Sequence, residues 1–158
     1  MTPSTLKDLH QVLLQKNLTV ATAESLTGGM IGAALTSQSG SSTYFKGSIV
    51  AYNLEAKVGL LGVSRAEAAA CNCVSAEVAD QMALGVRDLF GTDCAIAVTG
   101  YAERPCGVRS YPYAHCTVLC GPLQLKGVVY GRGLNRAEMR ELVTETTLRK
   151  LAQLVRLV

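Results

Sequence analysis

Residues 93–99 read Asp-Cys-Ala-Ile-Ala-Val-Thr, an apolar run with no charge after Asp93. A strand open to water on one side alternates apolar and polar side chains; a continuous run suits a strand covered on both faces. The run follows a helical pattern over 76–89, with Val78, Met82, Leu84 or Gly85, and Leu89 apolar, which Gly91 closes. A strand covered on both sides and fed by a helix places the chain among α/β proteins.

The other segments fit that frame. Residues 4–16 carry Leu6, Leu9, Val12, Leu13 and Leu14 at helical spacing, with Ser4 as cap. Residues 18–23 read as a first strand and 27–37 as a helix. Residues 38–43 form a loop, and Phe45–Tyr52 a second strand in which Gly47 marks a bulge or a close approach. Asn53–Leu61 is a short helix carrying Lys57 and ended by Gly62; Ser64 caps a short Ala-rich turn over 65–70. Residues 101–112 are the least regular, 113–120 and 123–130 form a hairpin around Gly121–Pro122, and Asn135 caps a last helix over 136–156. One domain over 1–158 is expected, with helices on both faces of a sheet that the hairpin makes mixed.

Composition narrows the function classes. Apolar residues make up 49% of the chain, too many for a disordered protein. No apolar run approaches the ~18 residues of a membrane span, so no membrane role is expected. The N-terminal MTPSTLKDLHQ lacks the apolar centre of a signal peptide, which points to the cytoplasm. A net charge of +3, spread along the chain, is too weak to argue for nucleic acid. The cysteines are Cys71, Cys73, Cys94, Cys106, Cys116 and Cys120; they contain no C-x-x-C and match no common zinc spacing. They read as reduced thiols, and neither a metal nor a cofactor is expected.

The stretch LTVATAESLTGG, residues 18–29, holds the chemistry. It reads as strand, tight turn and helix start. Ser25 supplies a hydroxyl, and the N–H groups near Gly28 and Gly29 can hold a negative charge. Ser25 or Thr27 can equally be a plain N-cap, with the glycines only permitting the turn. Ligands of such sheets bind beyond the carboxyl ends of the strands. Ser25 and Thr99–Gly100 each follow a strand end, so one cleft is expected to hold both. Glu24 points away from Ser25 in an extended chain and is a doubtful base. A Ser–His–Asp triad would need His115 and Asp93, which starts rather than ends its strand. Lys57 is the better base, because burial would lower its pKa; a lone lysine can also be an ordinary surface group. Tyr52 could bond to either partner or be a simple edge tyrosine. Arg136 and Arg140, four apart on one helix face, could clasp a phosphate or form a solvated basic face.

The segments AESLTGG, GSSTYFKGSIVAYNLEAKVGLLGV and VSAEVADQMALGVRDLFGTDCAIAVTG resemble the CinA C-terminal domain family, the bacterial nicotinamide-nucleotide amidohydrolases. The resemblance implies a three-layer α/β/α sandwich with a mixed, mostly parallel sheet. It implies hydrolysis of nicotinamide mononucleotide to nicotinate mononucleotide and ammonia without a metal. By position, Ser25 resembles the nucleophile, Lys57 the base and Tyr52 a supporting hydroxyl. Thr27, Gly28 and Thr99 resemble cleft positions, Arg140 an assisting arginine, and Gly29 and Gly100 go with them as substrate-binding positions. N–H groups of Thr27–Gly29 would hold the oxyanion. Members of the family often self-associate, and the Ala-rich 65–86 region offers a surface for it.

The chain also departs from the family pattern. Where the family carries a glycine-rich loop after Thr99–Gly100, this chain has Tyr101-Ala102-Glu103-Arg104-Pro105-Cys106-Gly107. Tyr111 replaces a lysine, Ala114 a glycine, Asn53–Leu54 a Ser/Thr–Asn pair, and Leu134–Asn135–Arg136 a Gly-Asp-Arg. A carboxylate and bulky side chains there would repel a phosphate and fill space. Two functions follow: an amidohydrolase acting by Ser25 and Lys57, or a degenerate relative that binds a nucleotide or a protein without turnover. A cleft blocked by Glu103, Arg104 or Tyr111 would favour the second.

Overall fold

A computed structural model describes residues 3–104 and 111–158. The elements are α1 (Pro3–Gln15), β1 (Val20–Glu24), α2 (Met30–Leu35), a 3-10 turn (Ser41–Thr43), β2 (Phe45–Val50), α3 (Leu54–Leu61), α4 (Arg65–Ala70), α5 (Ala76–Phe90), β3 (Cys94–Tyr101), β4 (Tyr113–Cys120), β5 (Leu123–Tyr130) and α6 (Arg136–Leu157). The five strands form one sheet in the order β2-β1-β3-β4-β5. β1 runs parallel to both β2 and β3, and β3–β4 and β4–β5 are antiparallel, so β4 alone opposes the other strands. The sheet is mixed, with most strands pointing one way, and helices cover both faces.

Strand alternation sorts the two faces. Val20, Ile96 and Val98 turn to one side, where they meet Leu9 and Leu13 of α1, Ile31 and Leu35 of α2, and Val143, Leu148, Leu151 and Val155 of α6. Ala21, Ala23, Ala95 and Ala97 turn to the other side, where they meet Val78, Met82, Ala83 and Val86 of α5. Small strand residues let α5 lie close to the sheet. Gly85 does the same for α3, since a Cβ there would sit 2.0 Å from the Leu61 carbonyl oxygen. Leu84 and Leu89 are therefore solvent-facing rather than part of the buried stripe. The apolar side chains of 65–86 that a self-associating surface would need are largely taken up here, with Ala68, Val78, Ala79, Met82, Ala83 and Val86 all in this chain's own core.

Other local expectations meet the structure directly. The register of β1 on β2 shifts between Val20 and Ala21, which pair with Phe45 and Gly47 and skip Lys46, so the irregularity stands next to Gly47. A Cβ on Gly47 would also lie 2.3 Å from the Phe90 ring, so the position is a close approach as well. Gly62 and Gly91 end α3 and α5 at φ 65° and 60°. Asn135 and Glu138 form a full capping box on α6. The helix expected over 27–37 is shorter: α2 holds six residues, Met30–Leu35, and residues 26–29 are turn. β3 runs on through Thr99 and Gly100 to Tyr101, because β4 pairs with it to its end. Among the described residues no helix is long and apolar enough to cross a membrane.

Candidate active site

The parallel strands β1, β2 and β3 end on one edge of the sheet, and a cleft of about 510 Å³ opens there. Ser25, one residue past β1, and Lys57 of α3 form its floor. Lys57 and Leu61 are the two buried residues of α3, four apart and so on one helix face. Asn53 caps that helix by accepting the Ala56 N–H at 2.8 Å, which fixes where the turn bearing Lys57 begins. Lys57 is 1% exposed and Ser25 7%. Lys57 Nζ lies 3.2 Å from Ser25 Oγ and donates to the Ala51 carbonyl at 2.7 Å. Burial pushes the Lys57 pKa down; the nearby Cys73 thiol works weakly the other way. No ion pair among the described residues includes Lys57. A neutral amine in that place has a lone pair to offer the Ser25 hydroxyl.

The turn after β1 works differently from either local expectation. Neither Ser25 nor Thr27 caps α2; Gly29 is at the cap position in the left-handed region (φ 98°), with no side-chain cap bond. Glu24, fully buried, takes over the role. Its carboxylate accepts from the N–H groups of Gly29 (2.9 Å), Ile31 (3.1 Å) and Gly32 (2.8 Å), and from Thr27 Oγ1 at 2.7 Å. The dipole's positive end therefore already holds an anion, and it is the chain's own. The Gly28 N–H donates to the Ser25 carbonyl at 3.0 Å. The N–H groups of Gly28 and Gly29 are thus occupied and do not serve an oxyanion. Those of Leu26 and Thr27 make no hydrogen bond among the described residues, and Leu26 lines the cleft.

Several expected binding residues lie behind the wall rather than on it. Thr27, Gly28, Gly29 and Arg140 do not line the cleft. Arg140 donates to the Thr27 carbonyl at 2.9 Å, and a Cβ on Gly28 would sit 3.1 Å from its guanidinium, so Arg140 braces the turn from α6. Thr99 and Gly100 do line the cleft, yet both answer to neighbouring chain. Thr99 Oγ1 donates to the Cys73 carbonyl at 2.6 Å. A Cβ on Gly100 would lie 2.4 Å from the Tyr113 carbonyl oxygen, so β4 requires the glycine. Asp93 lies just before β3, where it accepts from the Thr19 N–H and hydroxyl, so it is not the acid of a Ser–His–Asp triad.

The rim joins residues that the sequence named to a wall, Asn72 and Cys73, that it did not point to. Arg136, not Arg140, lines the cleft; it donates to the Tyr52 hydroxyl at 2.9 Å and pairs with Glu103 at 3.2 Å. The Tyr52 hydroxyl is therefore bonded to Arg136, and Tyr52 makes no bond to Ser25 or Lys57. Asn72 and Cys73 form one wall in left-handed backbone, at φ 51° and 63°, and Asn72 Nδ2 donates to the Tyr101 hydroxyl at 2.9 Å. Asn is the non-glycine residue that visits this region most readily, and Asn72 just past an Ala-rich helix is the signal that could have found this wall. Glu103 and Arg104 line the cleft without closing it, and Tyr111 packs on Tyr130 and under Arg132 instead. Pro105, Cys106 and Gly107 lie outside the described residues. Among the described residues no group of three or more His, Cys, Asp or Glu is placed to hold a metal ion.

The chain is similar to known proteins along nearly its whole length. Residues 3–155 match the family model of the CinA C-terminal domain. A CinA-like protein of Flavobacterium psychrophilum is 41% identical over 147 residues, which cover 93% of this chain and 34% of that protein. One from Rippkaea orientalis is 48% identical over 101 residues, or 64% of this chain and 24% of that protein. The chain thus spans about a third or less of the length of these relatives. The crystal structure of competence/damage inducible protein CihA from Agrobacterium tumefaciens superposes with a TM-score of 0.85 at 32% identity, covering 98% of each chain. A CinA superfamily protein from Klebsiella pneumoniae shares the fold with a TM-score of 0.89 at 22% identity, again over 98% of each chain.

Proposed function

The chain belongs to the CinA C-terminal domain family, and from that premise we propose that it hydrolyses the carboxamide of nicotinamide mononucleotide to nicotinate mononucleotide and ammonia. The observation that carries the proposal is the 3.2 Å approach of the buried Lys57 amine to Ser25 Oγ. Neutral Lys57 accepts the Ser25 proton as Oγ attacks the amide carbon. The oxyanion turns to the N–H of Leu26, which directly follows the nucleophile and lines the cleft. The Lys57 ammonium then protonates the departing nitrogen, and ammonia leaves. Lys57 next takes a proton from water, which cleaves the nicotinoyl ester and restores Ser25. The Ala51 carbonyl holds Nζ in place through this cycle. The reaction calls on no metal or cofactor, and the substrate is a small nucleotide rather than a nucleic acid.

Ammonia release from nicotinamide mononucleotide tests it, with the purified protein beside Ser25→Ala and Lys57→Ala. Each substitution is expected to lower the rate about a thousandfold or more. Because burial lowers the Lys57 pKa, the rate rises with pH and reaches its plateau below the ordinary lysine range. No release above the Ser25→Ala background overturns the hydrolase. The second reading, a nucleotide-binding module without turnover, rests on the Tyr52–Arg136–Glu103 contacts across the rim. Retained nucleotide binding without ammonia release would select it.

A further inference from the structure

Among the described residues, four charged side chains line the cleft: Lys57, Glu103, Arg104 and Arg136. Lys57 is committed to Ser25 and Ala51. Arg136 is the first residue of α6, and its two terminal nitrogens are engaged by the Tyr52 hydroxyl and the Glu103 carboxylate. The α2 N-terminus, the other place an anion would go, is filled by Glu24. Among the described residues the cations left for an anionic group of a ligand are Arg104 and Arg136, both on the rim, and Arg136 is the one held in place there, by Tyr52 and Glu103.

We propose that Arg136 is the anion-binding side chain of the cleft and that Glu103 is its built-in competitor, so that Glu103 sets how strongly the cleft prefers an amide bearing a phosphate over the same amide without one. The reading rests on the proposed amide substrate and specifies its charge class. The Arg136 and Glu103 side chains are 48% and 66% exposed, so solvent screens their pair and keeps it weak. A phosphate can take both guanidinium N–H groups at once, which is the stronger arrangement. Phosphate thus displaces Glu103, but it must break that pair and then sit beside the released carboxylate. A neutral ribose end does neither.

Calorimetric binding to the Ser25→Ala protein reads this out without turnover. The probes are nicotinamide mononucleotide and nicotinamide riboside, which differ by the phosphate. Glu103→Gln is expected to tighten the mononucleotide about three- to tenfold and leave the riboside within about twofold. Arg136→Gln is expected to weaken the mononucleotide about tenfold and spare the riboside. An equal effect of Glu103→Gln on both probes, or on neither, overturns the proposal; so does an unchanged mononucleotide affinity in Arg136→Gln, which would move the phosphate to Arg104. Binding of neither probe also overturns it. Ammonia release with an unmoved ratio removes this proposal and keeps the Ser25–Lys57 chemistry. A ratio that moves as expected without any ammonia release from the parent protein does the reverse.

Discussion

The floor and the rim of the cleft are held by opposite means. On and just beneath the floor, Lys57, Glu24 and Thr27 are at most 1% exposed, and each polar group has a fixed partner inside the chain. On the rim, Tyr52 is 60% exposed, and its partner Arg136 is bound in turn to Glu103 through a contact that water screens. Buried polar groups cost a great deal when left unpaired, so the floor tolerates little change. Exposed pairs contribute little to stability, so the rim can change its charge pattern at almost no structural cost. Glu103 and Arg104, which depart from the family pattern, fall on the rim, while the AESLTGG stretch supplies Ser25 and Leu26 to the floor and the buried turn behind it.

This contrast has measurable consequences. Glu24→Ala removes the acceptor of three N–H groups and the Thr27 hydroxyl at once. It is expected to cost about 3–5 kcal/mol in urea unfolding; a loss below about 1 kcal/mol would show that the turn is not held by that carboxylate. Gly100→Ala drives a methyl group into the β4 backbone. About 1–3 kcal/mol is expected, and an unchanged midpoint would mean that β3 and β4 separate freely at this edge.

Lys57→Met tests the floor through pH. The folded Lys57 pKa lies below its ordinary value because of burial. Between that lowered value and the unfolded value of about 10.4, the unfolded chain binds more protons, so stability rises with pH across the window. Lys57→Met is expected to flatten that slope and to raise stability on its acidic side, read from unfolding midpoints at several pH values. Equal slopes in the two proteins would place the Lys57 amine in water. On the rim, Arg136→Gln and Glu103→Gln are each expected to shift Tm by less than about 2 °C. A larger drop in thermal melts would mean that the rim is part of the scaffold.

Much of the fold and part of the site are legible in the sequence. The Cys94–Val98 run, the caps at Ser64 and Asn135, and the stops at Gly62 and Gly91 are local signals, and the elements begin and end where those signals stand. Ser25 and Lys57 are both nameable, but on different grounds: the turn chemistry points to Ser25, while family position reinforces Lys57. Arg140 differs from Arg136 in its height along α6, not in helix phase. Arg136 and Arg140 share a face, yet only the first turn of α6 reaches the rim, and the next turn meets the back of Thr27. The N-cap error at Ser25 and Thr27 arises because sequence proximity favours a near hydroxyl, whereas a carboxylate can satisfy several donors together.

By itself the sequence determined the helices, the strands, their order and the hydroxyl at the end of β1, because caps, turns and periodicity act over a few residues. Only the tertiary structure decided what each polar group is for. Glu24 reaches donors as far as Gly32, Lys57 reaches Ser25 across 32 positions, and Arg136 reaches Tyr52 across 84. Such pairings depend on which elements the sheet order sets side by side, and burial then turns the same side chains into an acceptor, a base or a mobile charge.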